Sequence, residues 1–112
     1  MEFFRKPMRK ALDNSKRFSE PYTIQQIAQL TKPHASLANM AAEGWILSGE
    51  MAKLINEGVK HIICLQPLGC LPNHITGKGM IRELMRTNDG VNIVAIDCDA
   101  GISEVNQLNR IN

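Results

Sequence analysis

The chain has 112 residues, of which 44% are hydrophobic, and this is the size and composition of one globular domain. Thirteen Lys and Arg residues against eleven Asp and Glu give a net charge of +2, which is too small to indicate a nucleic acid or an anionic membrane as partner. No apolar stretch approaches a transmembrane length, and the N-terminal apolar run is too short for a signal peptide. The sequence therefore predicts a cytoplasmic protein with no membrane and no nucleic-acid partner.

The first part of the chain, residues 1–58, is predicted to be helical. In "FFRKPMRKALDNSKRF", apolar residues recur at three- and four-residue spacing from Phe3 to Phe18. Pro7 is typical of a first turn, so the helix is expected to begin just before Pro7. Thr23 is the predicted N-cap of a second helix, which Pro33 ends.

A third helix is predicted over "EGWILSGEMAKLINEG", with Gly58 as its C-terminal stop. Two glycines, Gly44 and Gly49, fall on this segment, and each would cost about 1 kcal/mol in a helix interior relative to Ala. Close approach of another backbone would explain a glycine here. For Gly44, a place at the very start of the helix explains it equally well.

The second part, residues 59–112, is predicted to be a small β-α-β-α unit. "VKHIICL" and "VNIVAIDCD" are nearly continuous apolar runs, which are typical of buried strands, and "GKGMIRELMRTNDG" is a helix between them. "SEVNQLNRI" is a last helix with Ser103 as its N-cap. Two such strands joined by a helix indicate parallel pairing with a right-handed crossover, and so a partial Rossmann-like sheet.

A sheet of two strands is too small to be stable as an independent doubly wound sheet. The chain is therefore expected to be a single domain that is a piece of a larger protein, or to complete its sheet with another chain. The unfinished sheet edge also predicts that the fragment can form a homodimer.

The connection "CLQPLGCLPNHITGKG", from Cys64 to Gly79, contains the residues with the most distinctive chemistry. It follows the first strand, and the carboxyl ends of parallel strands are where ligands bind in such sheets. Cys70 lies in a loop stiffened by Pro67 and Pro72. A thiolate on a rigid loop suits an iron–sulfur cluster, with the missing ligands supplied by a partner domain or subunit.

Two other interpretations of the cysteines remain open. Cys64, Cys70, His74 and Cys98 could form a tetrahedral zinc site, although the spacing of Cys64 and Cys70 is longer than usual. Alternatively, Cys64 and Cys98 are small buried side chains of a non-catalytic interaction domain.

The helix after this loop is predicted to begin near Thr76, which places Lys78 in its first turn. Lys78 is a candidate contact for a phosphate or for CoA, with a solvated lysine as the alternative. "GCLPNHITGKG" is not a P-loop, because the glycine spacing differs and Gly79 replaces the Ser or Thr that binds magnesium. Asp97 and Asp99 follow the second strand, where acids bind ribose hydroxyls or metals or cap a turn.

Three segments carry a resemblance to a known family: "EGWILSGEM", "CLQPLGCLPNHITGKGMI" and "NIVAIDCDAGISEVNQLNRI". They resemble the C-terminal part of large fused activase-related proteins, the activators of (R)-2-hydroxyglutaryl-CoA dehydratase. The similarity begins near Gln25 and is strong from Glu43 onward. In this family, an ATP-hydrolysing activase module precedes a region similar to the dehydratase subunits.

The resemblance implies that the chain is the C-terminal fragment of a much larger protein. The fragment would lack the ATP-binding module and interact with the rest of the parent chain and with dehydratase subunits. The resemblance also implies a 4Fe–4S cluster with Cys70 as a ligand and Cys64 as the second choice. The family has a tyrosine at the position of Cys98, which argues against Cys98 as a ligand. The fragment alone is expected to be inactive, since the family chemistry is an ATP-driven electron transfer that enables radical dehydration of a 2-hydroxyacyl-CoA in anaerobic metabolism.

Overall fold

A computed structural model describes residues 2–15, 17–18, 20–98 and 101. These residues form four α-helices and a sheet of two parallel strands, so the predicted mixed α/β class is confirmed. The elements are α1 (Glu2–Asp13), α2 (Ile24–Thr31), α3 (Trp45–Asn56), β1 (His61–Pro67), α4 (Ile81–Thr87) and β2 (Asn92–Cys98). No helix in the described ranges is both long and apolar enough to cross a membrane. The predicted last helix lies outside the described residues.

The first helix differs from its prediction at both ends. It begins at Glu2, so that Pro7 lies inside the helix rather than in its first turn. It also ends at Asp13, five residues before the last apolar residue of the pattern, Phe18. Phe3 is largely exposed, which shows that the apolar spacing here does not mark a core-facing stripe.

Helices α2 and α3 pack against each other as a pair. Thr23 caps α2 as predicted, and it forms a capping box in which the Gln26 side chain accepts from the Thr23 backbone N–H at 2.7 Å. Gly49 of α3 faces α2: a β-carbon at this position would overlap Ile27 Cγ2 and Thr31 Oγ1. The predicted close approach at Gly49 is therefore confirmed, whereas Gly44 is the N-cap of α3.

Strands β1 and β2 pair in parallel, with Ile62 opposite Ile93 and Gln66 opposite Asp97. Residues opposite each other in this ladder point to the same face, and Ile62 and Ile93 are buried in the core together with Leu84 of α4. The core also includes Met51 and Ala52 of α3.

The prediction that β1 is a buried strand is wrong for one of its faces. Ile63 is 56% exposed and Leu65 is 64% exposed, although their neighbours Ile62 and Gln66 are buried. Helices α3 and α4 cover the face that carries Ile62, and the opposite face of β1 is left open to solvent. An apolar run by itself does not show whether one or both faces of a strand are covered.

The segment before α4 is less regular than the sequence predicts. A helix was expected to begin near Thr76, but a π-helical turn (Asn73–Gly77) and a 3₁₀ turn (Lys78–Met80) come first, and α4 begins at Ile81. The buried Thr76 hydroxyl lies 2.5 Å from the carbonyl oxygen of Gly44. This contact ties the loop after β1 to the start of α3.

Candidate functional site

The candidate site lies at the carboxyl edge of the sheet, where β1 and β2 end side by side. The backbone N–H of Leu68 donates to the carbonyl oxygen of Cys98 at 3.3 Å, so the loop after β1 leaves the sheet directly beside the end of β2. This is the edge at which parallel sheets bind ligands. The structure thus brings Cys70, His74, Lys78 and Asp97 to one end of the molecule, as the order of elements predicts.

Cys70 sits on the loop between β1 and the π-helical turn and is partly exposed. Its backbone N–H donates to the carbonyl oxygen of Pro67 at 3.2 Å, which closes a tight turn. The side-chain amide of Asn73 donates to Cys70 Sγ at 3.0 Å. Sequence reasoning did not single out Asn73. An amide side chain three residues after a cysteine, at the start of a helical turn, is the signal that could have identified it.

His74 connects the cysteine loop to the end of β2. Its Nδ1 lies 2.9 Å from the carbonyl oxygen of Cys70, and its Nε2 lies 3.7 Å from Asp97 Oδ1. A carbonyl oxygen can only accept a hydrogen bond, so Nδ1 carries the proton in this contact. The His74 ring therefore holds the loop through the backbone of Cys70, the residue that carries the sulfur.

Asp97 is the centre of a polar cluster at the end of β2. The Gln66 side-chain amide donates to Asp97 Oδ1 at 2.5 Å, and Lys78 Nζ lies 3.4 Å from Asp97 Oδ2. The Asp97 side chain is only 12% exposed, and Gln66 is 1% exposed. Lys78 is a candidate cofactor-binding residue, and the structure places its ammonium group against this carboxylate.

Gln66 is the second residue that sequence reasoning missed. It is a buried amide that follows an apolar run in β1, and its Oε1 has no hydrogen-bond partner among the residues that the structure describes. A buried polar side chain normally has its hydrogen-bonding groups satisfied. A glutamine directly after the apolar run "IICL" is the signal that marks this position in the sequence.

Cys64 is in a different environment from Cys70. Its side chain lies in β1 beneath the π-helical turn, and a β-carbon at Gly77 would be 3.8 Å from Cys64 Sγ. Burial raises the pKa of the Cys64 thiol. Since a metal binds the thiolate, this environment makes Cys64 a poorer ligand than an exposed cysteine.

The four residues of the zinc interpretation do not converge. Within the described residues, no three His, Cys, Asp or Glu side chains are placed so that they could hold a metal ion together. Cys64, Cys70, His74 and Cys98 all belong to this part of the chain, and Cys98 is exposed at the end of β2. The two other candidate positions, Asp99 and the helix that starts near Ser103, lie outside it.

No family model, curated protein or solved structure matches the chain in comparisons with known proteins. The resemblance to the dehydratase activators therefore stays a prediction. The residues at the carboxyl edge of the sheet and their contacts are the observations that bear on function.

Proposed function

We propose that the chain is part of a cytoplasmic activator-type protein of 2-hydroxyacyl-CoA dehydration and that Cys70 supplies one thiolate ligand of a 4Fe–4S electron-transfer site. The other ligands come from the remaining domains of the parent chain or from a dehydratase subunit, and ATP binds in a separate activase module. A bound cluster supplies one-electron transfer at low potential. The observation that carries the proposal is the hydrogen bond from Asn73 to the sulfur of Cys70.

The surroundings of Cys70 suit a cluster ligand. The sulfur belongs to a partly exposed residue, so a partner that carries the other ligands can approach it. An N–H donor at the sulfur tunes the reduction potential of a bound cluster. Donors of this kind are among the main means by which a protein adjusts an iron–sulfur site.

The polar cluster around Asp97 supports the loop that carries Cys70. His74 contacts both the carbonyl oxygen of Cys70 and the carboxylate of Asp97, and Gln66 and Lys78 in turn hold that carboxylate. A cluster ligand needs a fixed position, because the distances between the sulfurs are set by the cluster. In this proposal His74 and Lys78 position the ligand loop and do not bind the cluster.

Cys64 is the second choice as a ligand. Burial raises the pKa of the Cys64 thiol, so Cys64 is assigned to packing unless Cys70 proves dispensable. The parallel pair β1–β2 with its connecting helix fits one end of a larger Rossmann-like sheet, which the remaining domains would complete.

The proposal is tested by replacing Cys70 with serine in the complete reading frame that encodes the chain. The protein is purified without oxygen and supplied with iron and sulfide, and its iron content and visible absorbance are measured. We expect a brown protein that loses most of its iron on Cys70→Ser, because one sulfur ligand is missing. The matched control is Cys98→Ser, which makes the same change at an exposed cysteine outside the loop and should leave the iron content unchanged.

A further variant tests the hydrogen bond itself. Asn73→Ala should keep the cluster and lower its reduction potential, because an N–H donor at sulfur stabilises the more negative, reduced state. A colourless wild-type protein, or a Cys70→Ser protein with the iron content of the wild type, would show that Cys70 is not a ligand.

A second function is favoured by exposed apolar side chains on β1 and on the loop that follows it. Ile63 and Leu65 of β1 and Leu68 and Leu71 of the following loop are all exposed. Such a surface is typical of a domain that binds another protein. In this case the chain is a non-catalytic interaction domain whose cysteines only pack, and the iron-free protein would still bind its dehydratase partner.

A further inference from the structure

A groove of about 570 Å³ runs along β2 on the side that faces α4. It is lined by Lys78, Ile81, Arg82, Met85, Ile93, Val94 and Ala95. The last three are consecutive residues of one strand, and consecutive side chains of a strand point to opposite faces of the sheet. A groove that all three of them line therefore lies along the edge of the strand and not over one face.

The backbone of β2 shows which hydrogen-bonding groups face this groove. Asn92 donates its N–H to the carbonyl oxygen of Lys60 at 2.7 Å, and the carbonyl of Cys98 accepts from Leu68, so these two residues direct their backbone groups toward β1. The direction alternates along a strand, and the N–H and C=O groups of Ile93 and Ala95 therefore point away from β1.

Those edge groups are available for pairing with another strand. Among the described residues, no hydrogen bond to the backbone of Ile93 or Ala95 occurs outside the β1–β2 pair. An open strand edge with a flanking helix is the arrangement in which an extended peptide adds to a sheet, with main-chain hydrogen bonds along the strand and side chains seated against the helix.

The groove also has a charge preference. Its two charged lining residues, Lys78 and Arg82, are both cations, and the other lining residues are apolar. Lys78 is partly balanced by Asp97, whereas Arg82 is exposed on α4. A carboxylate on the added strand would find a partner here, and an added lysine or arginine would be repelled.

We infer that the edge of β2 binds an extended acidic segment of another polypeptide, which adds to the sheet as a third strand. A second copy of the chain fits less well, because two such grooves facing each other bring together the cations of both linings and no lining carboxylate. The inference does not depend on Cys70, since neither the cysteine loop nor its sulfur lines the groove.

The test uses two labelled peptides of about nine residues, which is long enough for one strand. In one peptide valine alternates with glutamate, and in the other valine alternates with lysine. Fluorescence anisotropy measures their binding to the chain at low salt. We expect the glutamate peptide to bind at least about fivefold more tightly than the lysine peptide, and to weaken as salt is added.

Two pairs of variants locate the binding. Ala95→Pro removes the outward N–H without removing a bond to β1 and should weaken the glutamate peptide by more than about fivefold, whereas Ala95→Ser keeps the N–H and should bind as the wild type does. Arg82→Gln should weaken it by about fivefold, and the same change at Arg86, which lies on α4 outside the groove and pairs with Glu83, should not.

Circular dichroism shows whether the Ala95→Pro variant is folded. If that variant is unfolded, the comparison of Arg82→Gln with Arg86→Gln tests where the peptide binds. Equal binding of the two peptides, no binding of either, or equal loss with Arg82→Gln and Arg86→Gln would overturn the inference. One further outcome would overturn the inference: the wild type sediments as a dimer, Ala95→Pro abolishes that dimer, and the glutamate peptide does not bind. That outcome would mean that β2 pairs with a second copy instead.

Discussion

At the scale of single residues, the three cysteines show how far surroundings decide the chemistry of one side chain. Cys70 is partly exposed and accepts a hydrogen bond from Asn73, Cys64 lies under the loop with a raised pKa, and Cys98 is exposed at the end of β2. The thiolate is the form of cysteine that reacts and binds metals. The proposed ranking of the three cysteines as ligands therefore depends on the solvent exposure of each sulfur and on the hydrogen-bond donors near it.

Cys64 should therefore be the slow cysteine in alkylation. Its raised pKa keeps the thiol protonated at a pH where an ordinary cysteine already ionises, so its reaction with iodoacetamide should be slower than that of Cys98 at pH about 8 and should accelerate only at higher pH. The rates are measured by mass spectrometry on the wild type, with Cys64→Ser as the assignment control. Alkylation of Cys64 as fast as that of Cys98 would contradict the burial argument.

At the scale of elements, the contact between α2 and α3 depends on one missing side chain. Gly49 lets α3 approach Ile27 and Thr31 so closely that a β-carbon would overlap both. Thr31 is fully buried at this crossing, and its hydroxyl donates to the carbonyl oxygen of Ile27 at 2.9 Å. The glycine is unfavourable for the helix itself but allows the two helices to pack in contact.

Gly49→Ala should consequently destabilise the protein. Alanine gains about 1 kcal/mol of helix propensity, but the overlap with α2 forces the helices apart and should lower the free energy of unfolding by about 1–3 kcal/mol in net terms. Urea denaturation followed by circular dichroism measures the change. Glu50→Ala, at the exposed neighbouring position, is the control and should have little effect. An unchanged or higher stability of Gly49→Ala would mean that α2 and α3 do not pack this closely.

The segment before α4 shows an element that the sequence pattern does not predict. The pattern predicts a regular helix from about Thr76, yet the chain forms a π-helical and then a 3₁₀ turn. The Thr76 hydroxyl reaches the carbonyl oxygen of Gly44 at the start of α3, and this contact is between residues far apart in the chain. A local periodicity contains no information about such a partner.

At the scale of the whole molecule, the sheet is covered on one face of β1 and open on the other. Helices α3 and α4 bury Ile62, while Ile63 and Leu65 remain exposed. Parallel sheets in larger proteins are usually covered on both faces. The open face of β1 is therefore an exposed apolar surface, and we expect it to promote association of the chain with itself.

Replacing Ile63 and Leu65 together with threonine should reduce self-association without unfolding the chain. Threonine is β-branched, which suits a strand, and both positions are exposed, so the free energy of unfolding should change by no more than about 0.5 kcal/mol for each. Sedimentation velocity over a range of concentrations measures the association. The matched control is Ile62→Thr on the buried face, which should cost about 2 kcal/mol or more. Equal stability losses on both faces would show that the Ile63 face is also covered.

The sequence by itself determined the order and type of most elements and the edge at which the reactive residues meet. Apolar runs and turn residues mark β1 and β2, Thr23 marks the start of α2, and the chain order of strand, helix and strand puts Cys70 and Asp97 at the same edge. These are local patterns, or direct consequences of how parallel strands connect.

Only the tertiary structure decided which faces are buried and which side chains touch. In the structure Leu65 is exposed, the Gln66 side chain donates to Asp97, and the Asn73 side chain donates to the sulfur of Cys70. The physical reason is that burial and hydrogen bonding depend on neighbours brought together by the fold, and the spacing of residues along one segment says nothing about what will pack against it.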